Sequence, residues 1–387
     1  MKRSERGYGR WWTALGLLLA TAAVLLVASH SFLAMHVDPP IYPGQGVTHV
    51  GVLSDYFDRL AATPADTAVY VLEGAEPGGT ALILGGTHPN EPAASLTAIA
   101  LIEGATITRG RLIVIPRANH SAFTCTDPQE GYPQTYTIET PAGPREFRYG
   151  SRGTNPVHQW PDPVIYINAA GQSLAGAEVR NLNRSYPGSP DGNLTEQLAY
   201  AIVELIRTEK VDIAIDLHEA SPEYPVINAI VAHENALSVA AEAALLLEFE
   251  GMQIGVERSP TNLRGLSHRE WGDHTDALAL LAEAPNPAQG RLRGRTSAEL
   301  IVDGVDPYYV RAAQRGLLYV PFFAEGHPMD ERVGRHLQTV AMLLEVYNTY
   351  ADEDADVVMV GVPTLASVLD HGLGSYLLPP AAPADSP

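Results

Sequence analysis

Cysteine is all but missing from this chain: Cys125 stands alone among 387 residues. One thiol can close no internal disulfide and build no cysteine-based zinc site, so any metal must be held by His, Asp and Glu. Basic charge is also short, with 25 Lys and Arg against 45 Asp and Glu and a net charge of −20. Such a balance repels phosphate backbones, and no basic stripe with interleaved aromatics is present, so nucleic acid is set aside as a partner. The sequence has no P-loop, no GxSxG elbow and no GxGxxG loop, which removes three common enzyme classes. Charged residues make up 18% and apolar residues 45%, enough for a sizeable core and against global disorder.

Long apolar sequence is concentrated near the N-terminus. Lys2, Arg3, Arg6 and Arg10 precede Trp11–Met35, 25 residues without Asp, Glu, Lys or Arg. That length spans a bilayer as a helix. The basic flank predicts a cytoplasmic N-terminus, with Trp11 and Trp12 at the interface. The rival is a cleaved signal peptide, whose apolar region is ordinarily shorter, and the region around Ala28 and Ala34 offers no clean small-x-small site. The expectation is a membrane anchor. Either reading places the rest of the chain outside the cytoplasm, periplasmic or extracellular, and secreted if the segment is cleaved.

Residues 1–35 therefore read as anchor or signal, and 36–50, rich in Pro and Gly, as a linker. Residues 51–350 read as the main domain and 351–387 as an extension, its tail from Pro379 disordered. Within the domain, strands are expected over 68–73, 80–85, 111–116, 211–217, 226–232 and 277–282. Helices are expected over 92–103, 195–208, 235–248 and 331–350. Their alternation predicts an α/β fold, a mostly parallel or mixed central sheet flanked by helices. Residues 120–180 carry many Tyr, Pro, Gly and Asn and no long periodic run, and read as an irregular insertion.

The sharpest motif is GGTHPNEP, Gly85–Pro92, placed between a strand end and a helix start. Sites in open α/β sheets form just beyond the carboxyl ends of strands. His88 and Glu91 are three apart and can reach one ion from a turn, although a polar loop with a carboxylate at a helix start reads equally well. A second strand end carries Asp216-Leu217-His218-Glu219. Asp216 and His218 share a strand face, and a carboxylate beside a metal-bound imidazole is a common supporting arrangement. Otherwise His218 is a capping histidine. Two His, one Glu and a water would complete a catalytic zinc with an open position. Third, Asn183-Arg184 precedes Ser185-Tyr186-Pro187-Gly188; an Arg fork grips a carboxylate, while the turn context also permits a surface Arg.

HxxE, then an Asn-Arg pair before Pro-Gly, then DLH at a strand end is similar in order to the zinc carboxypeptidase superfamily. Within it, GGTHPNE and NLNR resemble motifs of the succinylglutamate desuccinylase/aspartoacylase family, over roughly residues 65–350. The resemblance implies His88, Glu91 and His218 as ligands of one Zn²⁺ per chain, and Asn183 and Arg184 as binders of a substrate carboxylate. It also implies a catalytic glutamate near a later strand end. Glu283 in ALALLAEAPNP matches, with Glu270 the runner-up. The family's oxyanion-binding Arg falls on Gly176 here, so Arg152 or Arg180 would replace it. Asn181 stands where the family usually has Asp, which predicts a lost or neutralised contact. Only 37 residues follow Tyr350, too few for the family's C-terminal β-domain, so the site is expected to be open or closed by the 120–180 insertion.

The stretch Gly265–Asp276, GLSHREWGDHTD, reads as pocket lining, with Arg264 or Arg269 meeting a second anionic group. His268, Asp273 and His274 are an alternative metal set. The expected activity is zinc-dependent hydrolysis of an amide or ester in an N-acyl amino acid or peptide with a free carboxylate. The alternatives are a peptide-cleaving metallocarboxypeptidase and a non-catalytic, membrane-anchored ligand binder.

Overall fold

The computed structural model describes residues 5–126, 133–352 and 354–379, with side chains from Arg10 onward. Lys2, Arg3, the Arg6 side chain and the tail after Pro379 lie outside the described residues. The chain divides into two compact units, Met1–Pro39 and Pro40–Pro387. The first contains helix α1 (Glu5–Ala34), whose Arg10–Ala34 stretch of 25 residues has no buried part. It is long and apolar enough to cross a membrane, a test that a signal sequence also passes.

The second unit opens with β1 (Val47–Val52), which begins inside the Pro/Gly-rich stretch. Then come β2 (Ala68–Glu73), β3 (Glu76–Leu84), α2 (Pro92–Gly104) and β4 (Thr106–Ile115). The described part of residues 120–180 contains two small hairpins, β5 (Thr135–Thr140) with β6 (Gly143–Arg148), and β7 (Ile165–Ile167) with β8 (Ser173–Ala175). The chain continues through α3 (Leu194–Thr208), β9 (Ile213–Ala220), β10 (Ala229–Ala232) and α4 (Leu237–Phe249). Next are β11 (Gly255–Arg258), α5 (Ser267–His274), β12 (Leu278–Pro285), α6 (Ala298–Asp303) and α7 (Pro307–Ala313). Helix α8 (Met329–Tyr350), β13 (Val358–Val360) and α9 (Leu365–His371) finish it.

Among the described residues, nine strands form one mixed sheet in the order β1-β2-β4-β3-β9-β12-β10-β11, with β13 beside β4. The pairs β4–β3, β3–β9 and β9–β12 are parallel, while β12–β10 is antiparallel. From β3 the chain steps through α2 to β4 on one side, and returns later to place β9 on the other. That reversal opens a crevice beyond the carboxyl ends of β3 and β9, where α/β sheets bind ligands.

Side chains alternate across a strand, and the two core clusters follow that period. Ala81 and Ile83 of β3, Ile213, Ile215 and Leu217 of β9, and Leu280 and Ala282 of β12 pack with α2, α4 and α8. Leu82, Leu84, Ala214 and Ala279 face α3 and Trp271 of α5. By the same alternation Asp216, His218, Leu281 and Glu283 lie on the α3/α5 face, and Leu281↔Asp216 and Glu283↔His218 are in register. Strand β9 runs to Ala220 rather than stopping near 217, because its backbone stays paired with β12 up to Pro285↔Ala220. After β3 the chain turns at Gly86, which has φ 72° and where an added Cβ would sit 2.8 Å from the Phe123 ring. Only glycine takes that conformation and space readily, so the chain turns there and projects His88 and Glu91 into the crevice.

Candidate metal centre

His88 and Glu91 come from the β3–α2 turn and His218 from β9, and all three are buried. One ligand atom from each lies within 4.8 Å of the other two. Among the described residues this is the group able to hold a metal ion. Both imidazoles present Nδ1 to the same carboxylate: His88 Nδ1 is 2.8 Å from Glu91 Oε1, and His218 Nδ1 is 2.8 Å from Glu91 Oε2.

The outer edges of both rings are held by oxygen acceptors. His88 Nε2 lies 2.8 Å from Asn181 Oδ1, which also accepts from the Asn183 amide at 3.0 Å. The Asn181 amide nitrogen is engaged separately with Glu178 at 2.7 Å, which settles which end faces His88. His218 Nε2 lies 2.9 Å from Asp216 Oδ2. Asp216 further accepts from Thr87 Oγ1 at 2.8 Å and Ser267 Oγ at 2.5 Å. Each Nε2 therefore carries the proton, and each Nδ1 turns a lone pair toward Glu91. The His88 lone pair and Glu91 Oε1 share the Arg152 guanidinium, whose Nη1 lies 3.4 Å from one and 3.1 Å from the other, whereas the His218 lone pair facing Glu91 Oε2 needs a proton or a metal between them. The His88 contact is thus kept at Asn181, in neutral form.

Charge follows the same geometry. Burial, helped by Arg152, pushes His88 down to about 4, so it is neutral at pH 7. Burial also disfavours charge on His218, but Asp216 and Glu91 outweigh it and hold the ring well above the ordinary histidine value. Burial alone would raise Glu91; the two imidazoles pull it well below the usual carboxylate range. The chain thus presents one anionic carboxylate, one neutral imidazole and one imidazole holding a displaceable proton.

A pocket of about 250 Å³ opens on this cluster. Glu283, Arg152, Asn183 and Arg184 all border it. The Glu283 side chain is partly open to the pocket, yet Oε2 is enclosed and has no hydrogen-bond partner. Burial pushes its carboxyl up to about 8. Arg152 Nη1 donates to Glu91 Oε1 at 3.1 Å. Burial first, and then the neighbouring Arg152, lower Arg184 from the ordinary arginine value. Two cations sharing one concave site make a place for an anion.

Other expected residues lie elsewhere. Arg180 is turned away, forked onto Asp162 at 2.8 and 3.0 Å and bonded to the Thr154 carbonyl. Arg264 pairs with Glu270 at 2.6 Å and Asp273 at 2.9 Å and does not border the pocket. Arg269 is committed to Glu234 and Asp273, and Glu270 is fully buried beneath Arg264. The physical reason is the helix α5 itself. The stretch expected to line the pocket does so through Leu266 and His268, while the rest of α5 is packed away through paired charges and Trp271. His268, Asp273 and His274 diverge on it: His268 meets Ser259, Asp273 meets His233, and His274 meets Glu270. Sequence reasoning missed the support behind the site. Glu219 takes the Ala93 amide at 2.8 Å and Arg332 at 2.7 Å, both side chains being fully buried. Thr87, next to His88, was a findable signal; Arg332, lying far along the chain in α8, had none.

No family model matches the chain, and no curated protein matches it. Among solved structures it is similar to a succinylglutamate desuccinylase/aspartoacylase from Rhodobacter sphaeroides, at 18% identity over 59% of this chain and 54% of that one, with a TM-score of 0.36. It is also similar to a metallo-carboxypeptidase from Burkholderia cenocepacia, at 13% identity over 77% and 69% of the two chains, TM-score 0.42. The cell shape determinant protein Csd4 from Helicobacter pylori matches at 12% identity over 79% and 58%, TM-score 0.46. The match thus spans about half the length of the desuccinylase.

Proposed function

We propose that this chain is a zinc-dependent hydrolase that cleaves an amide or ester bond of an N-acyl amino acid or short peptide with a free carboxylate. The observation that carries the reading is the buried His88–Glu91–His218 group, with both Nδ1 atoms on one carboxylate and Glu283 bordering the same pocket. A nitrogen-nitrogen-carboxylate set leaves one tetrahedral position open, which suits catalytic zinc. Zinc held there would lower the pKa of a bound water and polarise the scissile carbonyl.

The remaining work falls to side chains. In its ionised form Glu283 accepts the proton of the attacking water and then, as the acid, delivers it to the leaving nitrogen or oxygen; the burial that raises its carboxyl favours the second of these steps. Arg152, already within 3.1 Å of Glu91, donates to the oxyanion that develops on the carbonyl. Arg184 and Asn183 hold the substrate carboxylate, placing the scissile bond next to the ligand cluster. Arg180 and Arg264 have no part in these steps. Helix α1 anchors the chain in the membrane with the hydrolase unit outside the cytoplasm, or is removed as a signal.

The test is metal content and turnover of the full-length chain in detergent. One zinc per chain, lost in His218→Ala, together with hydrolysis of N-acyl amino acids but not of their carboxyl-blocked amides, is expected. A chain that takes up no zinc on reconstitution would overturn the reading.

A further inference from the structure

Part of the pocket lining is aliphatic, Val226, Val231, Leu263, Leu266 and Leu281, and His268 lines the same pocket. His268, on α5, is only 4% exposed. Its Nδ1 lies 2.8 Å from Ser259 Oγ, and its Nε2 has no partner among the described residues. Ser259 is itself 1% exposed. Its amide donates to the Ala232 carbonyl and its own carbonyl accepts from Arg269, so the hydroxyl hydrogen has one place to go, His268 Nδ1. A buried hydroxyl left without an acceptor is costly, so Ser259 donates and the ring's remaining proton sits on Nε2.

We infer that His268 sets substrate specificity: its Nε2–H donates a hydrogen bond to a neutral acceptor, a carboxamide or hydroxyl, at the far end of an otherwise apolar substrate side chain. This rests on the reading that Asn183 and Arg184 hold the carboxylate of that same residue. The aliphatic lining accommodates the stem of the side chain. A charged terminus would be desolvated against aliphatic walls with one donor from an uncharged ring, because burial pushes His268 down to about 3. An unbranched hydrocarbon of equal length would leave the Nε2 proton unpaired, and sites built around a hydrogen bond reject such analogues.

The test compares N-acetyl-glutamine with N-acetyl-norleucine on the zinc-loaded full-length chain, and in parallel reads calorimetric binding of free glutamine and norleucine. The wild type is expected to favour the glutamine member of each pair about tenfold or more. His268→Leu should lose or invert that ratio, and His268→Gln, which keeps a donor, should largely retain it. Zinc content and thermal midpoint accompany each variant; if His268→Leu does not fold, the wild-type and His268→Gln ratios decide. Equal preference in the wild type, binding of neither amino acid, or a ratio unchanged in a folded His268→Leu would overturn the inference. Binding discrimination without turnover would instead overturn the hydrolase reading and leave the role of His268 intact.

Discussion

Asp216 offers the most demanding test of the site. Its two oxygens accept from Thr87, His218 and Ser267, so every lone pair aimed at a neighbour is in use. Asp216→Asn keeps the shape but turns an amide N–H₂ toward at least one of those donors and removes the charge that holds the His218 proton. Loss of such a supporting acceptor lowers metal affinity by about 10–100-fold. The pH dependence sharpens the expectation. In the metal-free wild type, His88 is pushed down to about 4 and Glu91 lies well below the usual carboxylate range, so neither competes with metal above pH 5. His218 is raised well above the ordinary value and its proton must leave. Zinc affinity should therefore rise about tenfold per pH unit, roughly 1.4 kcal/mol, one proton being displaced. In Asp216→Asn, burial regains weight, the His218 pKa falls and that slope flattens near neutrality. The affinity gap between variant and wild type should thus widen as pH rises. Competition with a chelator from pH 5.5 to 8.5 measures both curves. A two-proton slope in the wild type, a flat one, or a gap that narrows with pH would refute the assignment of protons in this cluster.

Three further outcomes follow from the same geometry. Glu283→Gln should lower kcat by about 10²–10⁴-fold in a steady-state assay while zinc content is unchanged. It should also alter stability: the folded wild type keeps the Glu283 proton up to about pH 8 where the unfolded chain releases it near 4.5, so metal-free stability falls as pH rises across that window. The variant lacks this contribution to the decline, and denaturation at pH 5 and pH 8.5 checks the sign. Arg152→Ala should lower kcat by about 10²–10³-fold, whereas Arg180→Ala, forked onto Asp162 away from the pocket, should change it by no more than a few-fold. Arg332→Ala strands Glu219, whose carboxyl burial already pushes up to about 7, and should destabilise the fold by about 3–5 kcal/mol in denaturant titration.

Much of the framework is legible in the sequence. The short continuous apolar runs of β2, β9 and β12 and the helical patterns of α2, α3 and α8 are local signals, because they are set by residues only a few positions apart. GGTHPNEP and DLHE could be placed at strand ends for the same reason, and two glycines mark a turn wherever they stand. The short strands β7 and β8 and the helix α5 were not legible. They lean on partners far along the chain, Glu234 on Arg269 of α5 and Glu196 on Tyr166 of β7, rather than on a pattern of their own.

By itself, then, the sequence determined that one disulfide-free α/β chain with an apolar N-terminal run carries two strand ends bearing candidate ligands, because those properties depend on neighbours a few residues apart. Tertiary structure alone decided that Arg152 and not Arg180 reaches the pocket, that Asn181 steadies His88, and that His268, held by Ser259 through Nδ1, lines the pocket beside aliphatic side chains. It also joined Glu219 to Arg332 across 113 residues. Those choices depend on strand register and on which way long side chains turn once the sheet has closed, and no spacing along the chain encodes them.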